Sequence, residues 1–196
     1  GYPYRPELVV NYTDSSVYCG NRAYEYWGID TANCMGYALD IQKVLLEGAF
    51  ISGTDGSHIR DNIHTIDDLT NYVAGRAYNY MKNAPTIGEG NCSTISSYNS
   101  SIATNRYRAV LRLNVVDADK DGTYNFYSTR PNNDFWGYHW WYQTSTGQWA
   151  EIPDRNKASR LIAGTSVSTN PQTSSAWDSG YNSKCKYFAI RKNDNN

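Results

Sequence analysis

From Cys34 onward the apolar positions follow a helical rhythm. Cys34, Ala38, Ile41 and Leu45 recur at helical intervals, while Leu39, Leu46 and Ala49 widen the stripe. With Gly48 as a stop, the spacing predicts a helix from Cys34 to about Gly48. Thr31 or Asn33 can cap its start by accepting from the first free amides. Residues 53–64 read as a polar loop. Thr65-Ile66-Asp67-Asp68 resembles a capping box with Asp in place of Glu, and Leu69, Tyr72, Val73, Ala77 and Tyr80 carry a second helix to about Met81. The Ser/Asn/Gly-rich residues 83–104 read as a connection with room for a short helix.

At Arg106 the period changes towards two. Tyr107, Ala109, Leu111 and Leu113 alternate with Arg106, Arg108, Val110 and Arg112, which predicts a strand with one buried face. A second strand spans Trp136 to Gln143 and a third Gln148 to Ile152, joined by a Thr144-Ser145-Thr146-Gly147 turn; Lys186 to Arg191 reads as the last. Helices come before strands, so the expected fold is α+β with an antiparallel sheet. Residues 1–196 suit one domain. Within it, Pro3, Pro6, Gly20 and Gly28 leave residues 1–30 irregular, and the tail 193–196 is expected to fray.

Charge narrows the partners. Lys plus Arg number 18 against 19 Asp plus Glu, a net charge of -1. Nucleic acid or an anionic membrane would call for a basic surplus. No apolar run approaches the ~20 residues of a membrane span. The chain opens on Gly1-Tyr2-Pro3-Tyr4 without a charged and then apolar leader, so any targeting segment has been removed or lies outside this sequence. Its 18 Tyr and 6 Trp against 4 Phe, with abundant Asn, Ser and Thr, suggest by composition a secreted, extracellular monomer.

The chemistry centres on two blocks, Asn33-Cys34-Met35-Gly36-Tyr37-Ala38-Leu39 and Tyr138-His139-Trp140-Trp141-Tyr142. A thiol at the start of a helix meets unpaired N–H groups and the positive end of the helix dipole, both of which favour thiolate. A histidine within reach completes a thiolate–imidazolium pair and later protonates a leaving amine. The Cys34 backbone N–H and the Asn33 side chain are candidate oxyanion donors. A third polar group must orient the imidazole. The turn places His139 across from residues 151–152, so Glu151 is its natural partner, with Asp154 in reserve.

With their sequel Gln143 and Gly147-x-Trp149, these blocks resemble a group of secreted bacterial proteins with a papain-like, NlpC/P60-type core. Those proteins carry motifs similar to Asn-Cys-Tyr-Ala-Tyr-Ala-Leu and Asp-Tyr-His-Phe-Tyr-Arg-Gln, followed by Gly-x-Trp-Ser-His-Lys. The resemblance covers two short blocks. It implies a papain-like core with Cys34 as nucleophile and His139 as base, and it aligns a later histidine of the group with Glu151. The expected activity is that of a cysteine peptidase, or of a peptidoglycan amidase or endopeptidase, with no cofactor required. A deamidase or transglutaminase would share the thiolate chemistry.

Other residues offer alternatives. Trp140, Trp141 and Tyr37 are candidates to line a substrate groove. With Trp136 they could instead form the stacking platform of a non-catalytic carbohydrate- or peptidoglycan-binding module. Asp117, Asp119 and Asp121, followed by Gly122, resemble half of a calcium loop, although Ser128 stands where an EF-hand has its bidentate acid. His58 and His64 lack zinc-ligand spacing. With Cys34 free, Cys19, Cys92 and Cys185 leave room for one disulfide, its pairing open.

Overall fold

The computed structural model describes residues 20–127 and 134–192. Its sheet assembles around the long strand β2 (Arg106–Val116), once β1 (Cys92–Ile95) is counted as the first in the chain. β3 (Phe135–Gln143) and β6 (Lys186–Arg191) flank β2. β1 lies outside β6, while β4 (Trp149–Glu151) and β5 (Arg160–Leu161) lie outside β3, giving the order β1-β6-β2-β3-β4-β5. Every pairing between these strands is antiparallel. The fold is α+β, with its helices ahead of the sheet in the chain.

The predicted single buried face of β2 is half of the picture. Tyr107, Ala109, Leu111 and Leu113 do face the main core, with Trp140, Tyr142 and Phe188. There they meet Leu69, Val73, Ala77 and Met81 of α3 (Ile66–Asn83), counted third among the helices. The opposite face is covered as well, because Val110 packs with Trp141, Trp149, Trp177, Cys185 and Tyr187 in a second, smaller core. The arginines on that face are buried but paired. Arg108 Nη1 donates to Gln143 Oε1 at 3.0 Å, and Arg112 Nε donates to the Ser183 carbonyl at 3.1 Å. A strand with neighbours on both sides and a layer on each face has no free surface for polar residues, which explains its arginine ladders.

The predicted long helix at Cys34 is cut short. α1 is Cys34–Ala38 alone, and Asp40 follows in the left-handed region at φ 59°. Two features stop the helix. The chain folds straight back over Gly36, with the Ile41 amide donating to the Gly36 carbonyl at 2.9 Å. A Cβ on Gly36 would lie 2.0 Å from the Lys43 carbonyl oxygen. Meanwhile the fully buried Arg22 takes the last helical carbonyls, donating to Tyr37 and Ala38, and faces Asp40 at 3.4 Å. Its guanidinium sits 3.9 Å from the Tyr142 ring centroid and near Tyr37, Tyr107 and Trp27, an arrangement that offsets part of the cost of burying charge.

The predicted polar loop at 53–64 is also corrected. It forms α2 (Gly53–Asn62), started by Asp55, whose carboxylate accepts from the Ser52 amide at 2.6 Å. Only Asp55 and Ile59 of this helix are buried, so its sequence shows hardly any apolar period. α3 starts where predicted, Thr65 Oγ1 accepting from the Asp68 amide at 3.1 Å. β1 and β5 were not anticipated, being too short to establish a period. Residues 20–30 form neither helix nor strand. The remainder of the irregular N-terminal segment and the expected frayed tail lie outside the described residues. Among the described residues no helix is long and apolar enough to cross a membrane.

Gly36→Ala is expected to destabilise the protein by about 3 kcal/mol, since backbone must move to admit the methyl group. Gly75→Ala, on the exposed side of α3 with nothing within 4 Å of the new methyl, is expected to stabilise it by about 1 kcal/mol. Urea midpoints of the two variants measure both; equal midpoints would show that the reversal over Gly36 is not tight.

Candidate active site

Cys34 is held in place by the residue before it. Asn33 Oδ1 accepts from the Gly36 amide at 3.1 Å as the helix cap and from the Leu45 amide at 3.0 Å. Its Nδ2 donates to the Leu45 carbonyl at 2.6 Å and lies 3.4 Å from the Tyr138 hydroxyl. One side chain thus behaves as a strand partner for Leu45 while it caps α1. That full set of bonds corrects the expectation that the Asn33 amide is a free oxyanion donor.

His139 stands on β3, on the same face as Trp141. The observed register pairs Tyr142 with Ala150 and Gln143 with Trp149. Continued by one residue, it sets Trp141 across from Glu151, so Glu151 is diagonal to His139 rather than directly opposite. The carboxylate still reaches, with His139 Nε2 and Glu151 Oε2 2.7 Å apart. Oε2 also accepts from Trp141 Nε1 at 2.7 Å, and Oε1 accepts from Arg160 Nε at 2.9 Å and Nη2 at 2.6 Å. Asp154 is exposed and accepts instead from the Asn156 amide.

With Nε2 turned to Glu151, Nδ1 is the ring nitrogen left for Cys34. Burial on its own would push the His139 imidazole down. It is outweighed by the charge of Cys34, a hydrogen bond with it, and the bond and charge of Glu151, which together raise the imidazole from 6.5 to about 9. For Glu151, burial acts upward, but the bond and charge of His139, then Arg160 and Trp141, hold the carboxyl below its usual range. The three side chains therefore favour a charged imidazolium between sulfur and carboxylate. α1 has a single turn of aligned peptides, so the charge facing the sulfur comes chiefly from this ring and not from a long helix dipole.

Cys34 also feels Tyr138 and Tyr181, residues on opposite sides of the sheet. β4 ends at Glu151, two residues short of the position across from His139, and α1 packs against both β3 and β4. Cys34 itself is partly buried against the main core. Trp177 covers the ring pair from the smaller core, stacking on Trp141 at 3.6 Å between centroids and standing perpendicular to His139 at 5.5 Å.

Several expected site residues are elsewhere. Trp140, Trp141 and Tyr37 are 0% exposed, so none lines a groove, and of the tryptophans expected to form a platform Trp136 alone is partly exposed. Alternation along β3 sends Trp140 to Phe188 in the main core and Trp141 to Trp149 and Trp177 in the other. His58 and His64 are exposed, His58 stacking on Tyr72 and His64 bonding the Tyr124 carbonyl. A pocket of about 380 Å³ between Phe50 and Tyr80 does not include Cys34.

The expected acidic site changes membership. Asp117 and Asp119 converge with Asp134, the residue just before β3, whereas Asp121 turns to the Thr123 amide. Asp134 is buried, and its two oxygens accept from the Ala118 and Asn125 amides. No sequence pattern pointed to it, because it is distant from the Asp run. The room for a disulfide is narrowed too. Cys34, Cys92 and Cys185 are free thiols, and Cys19 lies outside the described residues.

Sequence reasoning missed Trp141, Arg160, Trp177 and Tyr181 as members of this cluster. The strand alternation that put His139 and Trp141 on one face could have found the first. The others sit in short or irregular segments that show no period. No family model, curated protein or solved structure matches the chain.

The raised imidazole carries a stability consequence. The folded state binds this proton more tightly than the unfolded chain, so the stabilisation is complete below pH 6.5 and is lost as pH rises through about 9. The denaturation midpoint should fall across that window, and His139→Gln should flatten the fall. An equal slope in both proteins would mean that another group titrates there.

Proposed function

We propose that Cys34, His139 and Glu151 act as the catalytic triad of a papain-like, secreted cysteine hydrolase that cleaves an amide in a protein, a peptide or a peptidoglycan stem peptide. The observation that carries this reading is one buried imidazole that bonds a buried carboxylate at 2.7 Å and feels the charge of Cys34. Cys34 Sγ attacks the carbonyl carbon and the carbonyl π pair moves to oxygen. On collapse the C–N bond breaks and the leaving amine takes the proton from His139. Water, deprotonated by His139, then attacks the thioester and releases the acid and the thiol. Glu151 keeps Nε2 engaged throughout, which fixes the ring so that Nδ1 serves the reacting atoms.

Among the described cysteines, Cys34 alone stands beside an imidazole. Burial pushes the Cys92 thiol up and the Cys185 thiol to about 11, which makes both poor nucleophiles and shelters them from oxidation. The platform-binding alternative is left with the half-buried Trp136, because Trp140 and Trp141 are enclosed.

Brief iodoacetamide treatment of the native protein at neutral pH, followed by peptide mapping, tests the reading. Cys34 should be alkylated far ahead of Cys92 and Cys185. His139→Ala should slow that reaction by roughly 100-fold. If Cys34 reacts no faster than free cysteine, the hydrolase reading fails.

A further inference from the structure

A tetrahedral oxyanion needs more than one donor. The Cys34 backbone N–H is one, and the side-chain donors around the sulfur can be tested one by one. Asn33 is occupied by Leu45 and its own helix. The Tyr138 hydroxyl donates to the Leu45 carbonyl at 2.6 Å. His139 serves proton transfer. Among the described residues two donors near His139 stay unpaired. Trp177 Nε1 is one, but its indole is buried and stacked on Trp141, which closes its N–H to a substrate. Tyr181 is the other: it is half-buried, its ring lies 5.5 Å from His139 and 5.6 Å from Trp177, and its hydroxyl bonds no other described group.

The backbone that carries Tyr181 is firmly tied. After Asp178 accepts from the Gly180 amide, the chain runs along the end of β2, where β6 has not yet begun. Asn182 Oδ1 accepts from the Val115 amide at 3.0 Å, and its Nδ2 donates to the Val115 carbonyl at 2.8 Å. Ser183 Oγ accepts from the Leu113 amide at 2.8 Å. A loop fixed this way on both sides of its aromatic residue offers a preorganised donor, not a wandering one.

The geometry points to Tyr181 as a catalytic residue, its hydroxyl donating a hydrogen bond to the oxyanion that forms when Cys34 attacks a carbonyl. This rests on the hydrolase reading above. As the Cys34 Sγ–C bond forms, the oxygen gains the π pair and Tyr181 O–H donates to it without giving up its proton. When the pair returns, the leaving group departs and the hydroxyl is released. Burial first, then the charges of Cys34, Asp178 and Glu151, raise the phenol to about 12, so it remains a donor at neutral pH.

Two reagents separate the roles. Iodoacetamide alkylates sulfur by displacement at a saturated carbon and forms no oxyanion. p-Nitrophenyl acetate acylates the same sulfur through one. In Tyr181→Phe, Cys34 should alkylate at the wild-type rate, while its acylation, read as p-nitrophenolate release and as the acetyl adduct, should slow by roughly 100-fold. Wild-type acylation in this variant would overturn the assignment. Parallel loss of both reactions would overturn it too, showing that Tyr181 only maintains the site. A wild-type Cys34 inert to both reagents would remove the hydrolase reading, and Tyr181's role with it.

Discussion

A buried carboxylate must be surrounded by donors, and Glu151 sets this constraint on the sheet. Removing an ion from water costs several kcal/mol unless its lone pairs are met. Glu151 meets them with His139 and Trp141 from β3 and Arg160 from β5. None of these positions is free to drift. A one-residue slip between β3 and β4 would turn the carboxylate to the other face and leave its donors behind. The same bonds set the plane of the imidazole and place the Trp141 indole on which Trp177 stacks. The smaller core is thus arranged around a charge, and its packing and the ring orientation are one problem with one solution.

The thiol arrives by a separate route. Tyrosines of the sheet hold the helix that carries Cys34, Tyr107 by the Ala38 carbonyl and Tyr142 by the Tyr37 hydroxyl, but the sharp reversal after α1 sets its start. Gly36 lets the returning backbone touch the helix, Arg22 closes the helix end, and Asn33 ties Leu45 to the helix start. These contacts are local to residues 22–45, and the helix they hold packs against β3 and β4. A long helix would have run Leu45 away from Asn33 and removed the clamp. The short helix is therefore a condition of the geometry and not a loss from it.

This division explains what the sequence could reveal. The periods of β2, β3 and β6 and of α3 are long enough to read, and so their elements were legible, as was the proximity of Glu151 to His139. The register was misjudged by a residue because the turn centres on Thr146: the Thr144 amide donates to Gln148 and the Gly147 amide to Thr144. The helix at Cys34 was overread for a different reason. Ile41 and Leu45 keep helical spacing while their backbone has already reversed, and only tertiary partners, Arg22 and Asn33, reveal it. α2 was missed for the converse reason: a helix that buries little has no stripe to show. Arg160, Trp177, Tyr181 and Asp134 reach their places through loops, where spacing carries no information about position.

The surplus of tyrosine over phenylalanine has a structural use that bears on the site. Residues 20–50 contain little regular structure, so their carbonyls lack ladder partners, and a buried carbonyl without a donor is costly. Tyrosine supplies a ring to the core and a donor at its tip. Tyr37 donates to Glu25, Tyr107 to Ala38, Tyr138 to Leu45, Tyr142 to Ala23 and Tyr24 to Ser159. Phenylalanine at any of these places would fill the space and remove a donor, leaving Ala38, Leu45 and Glu25 to Arg22, Asn33 and Ser159 alone. The aromatic content that suggested a sugar platform is thus largely a scaffold for irregular backbone. Tyr181 departs from that use: its own loop is held by Asn182 and Ser183, its ring lies beside His139, and its hydroxyl has no carbonyl to hold.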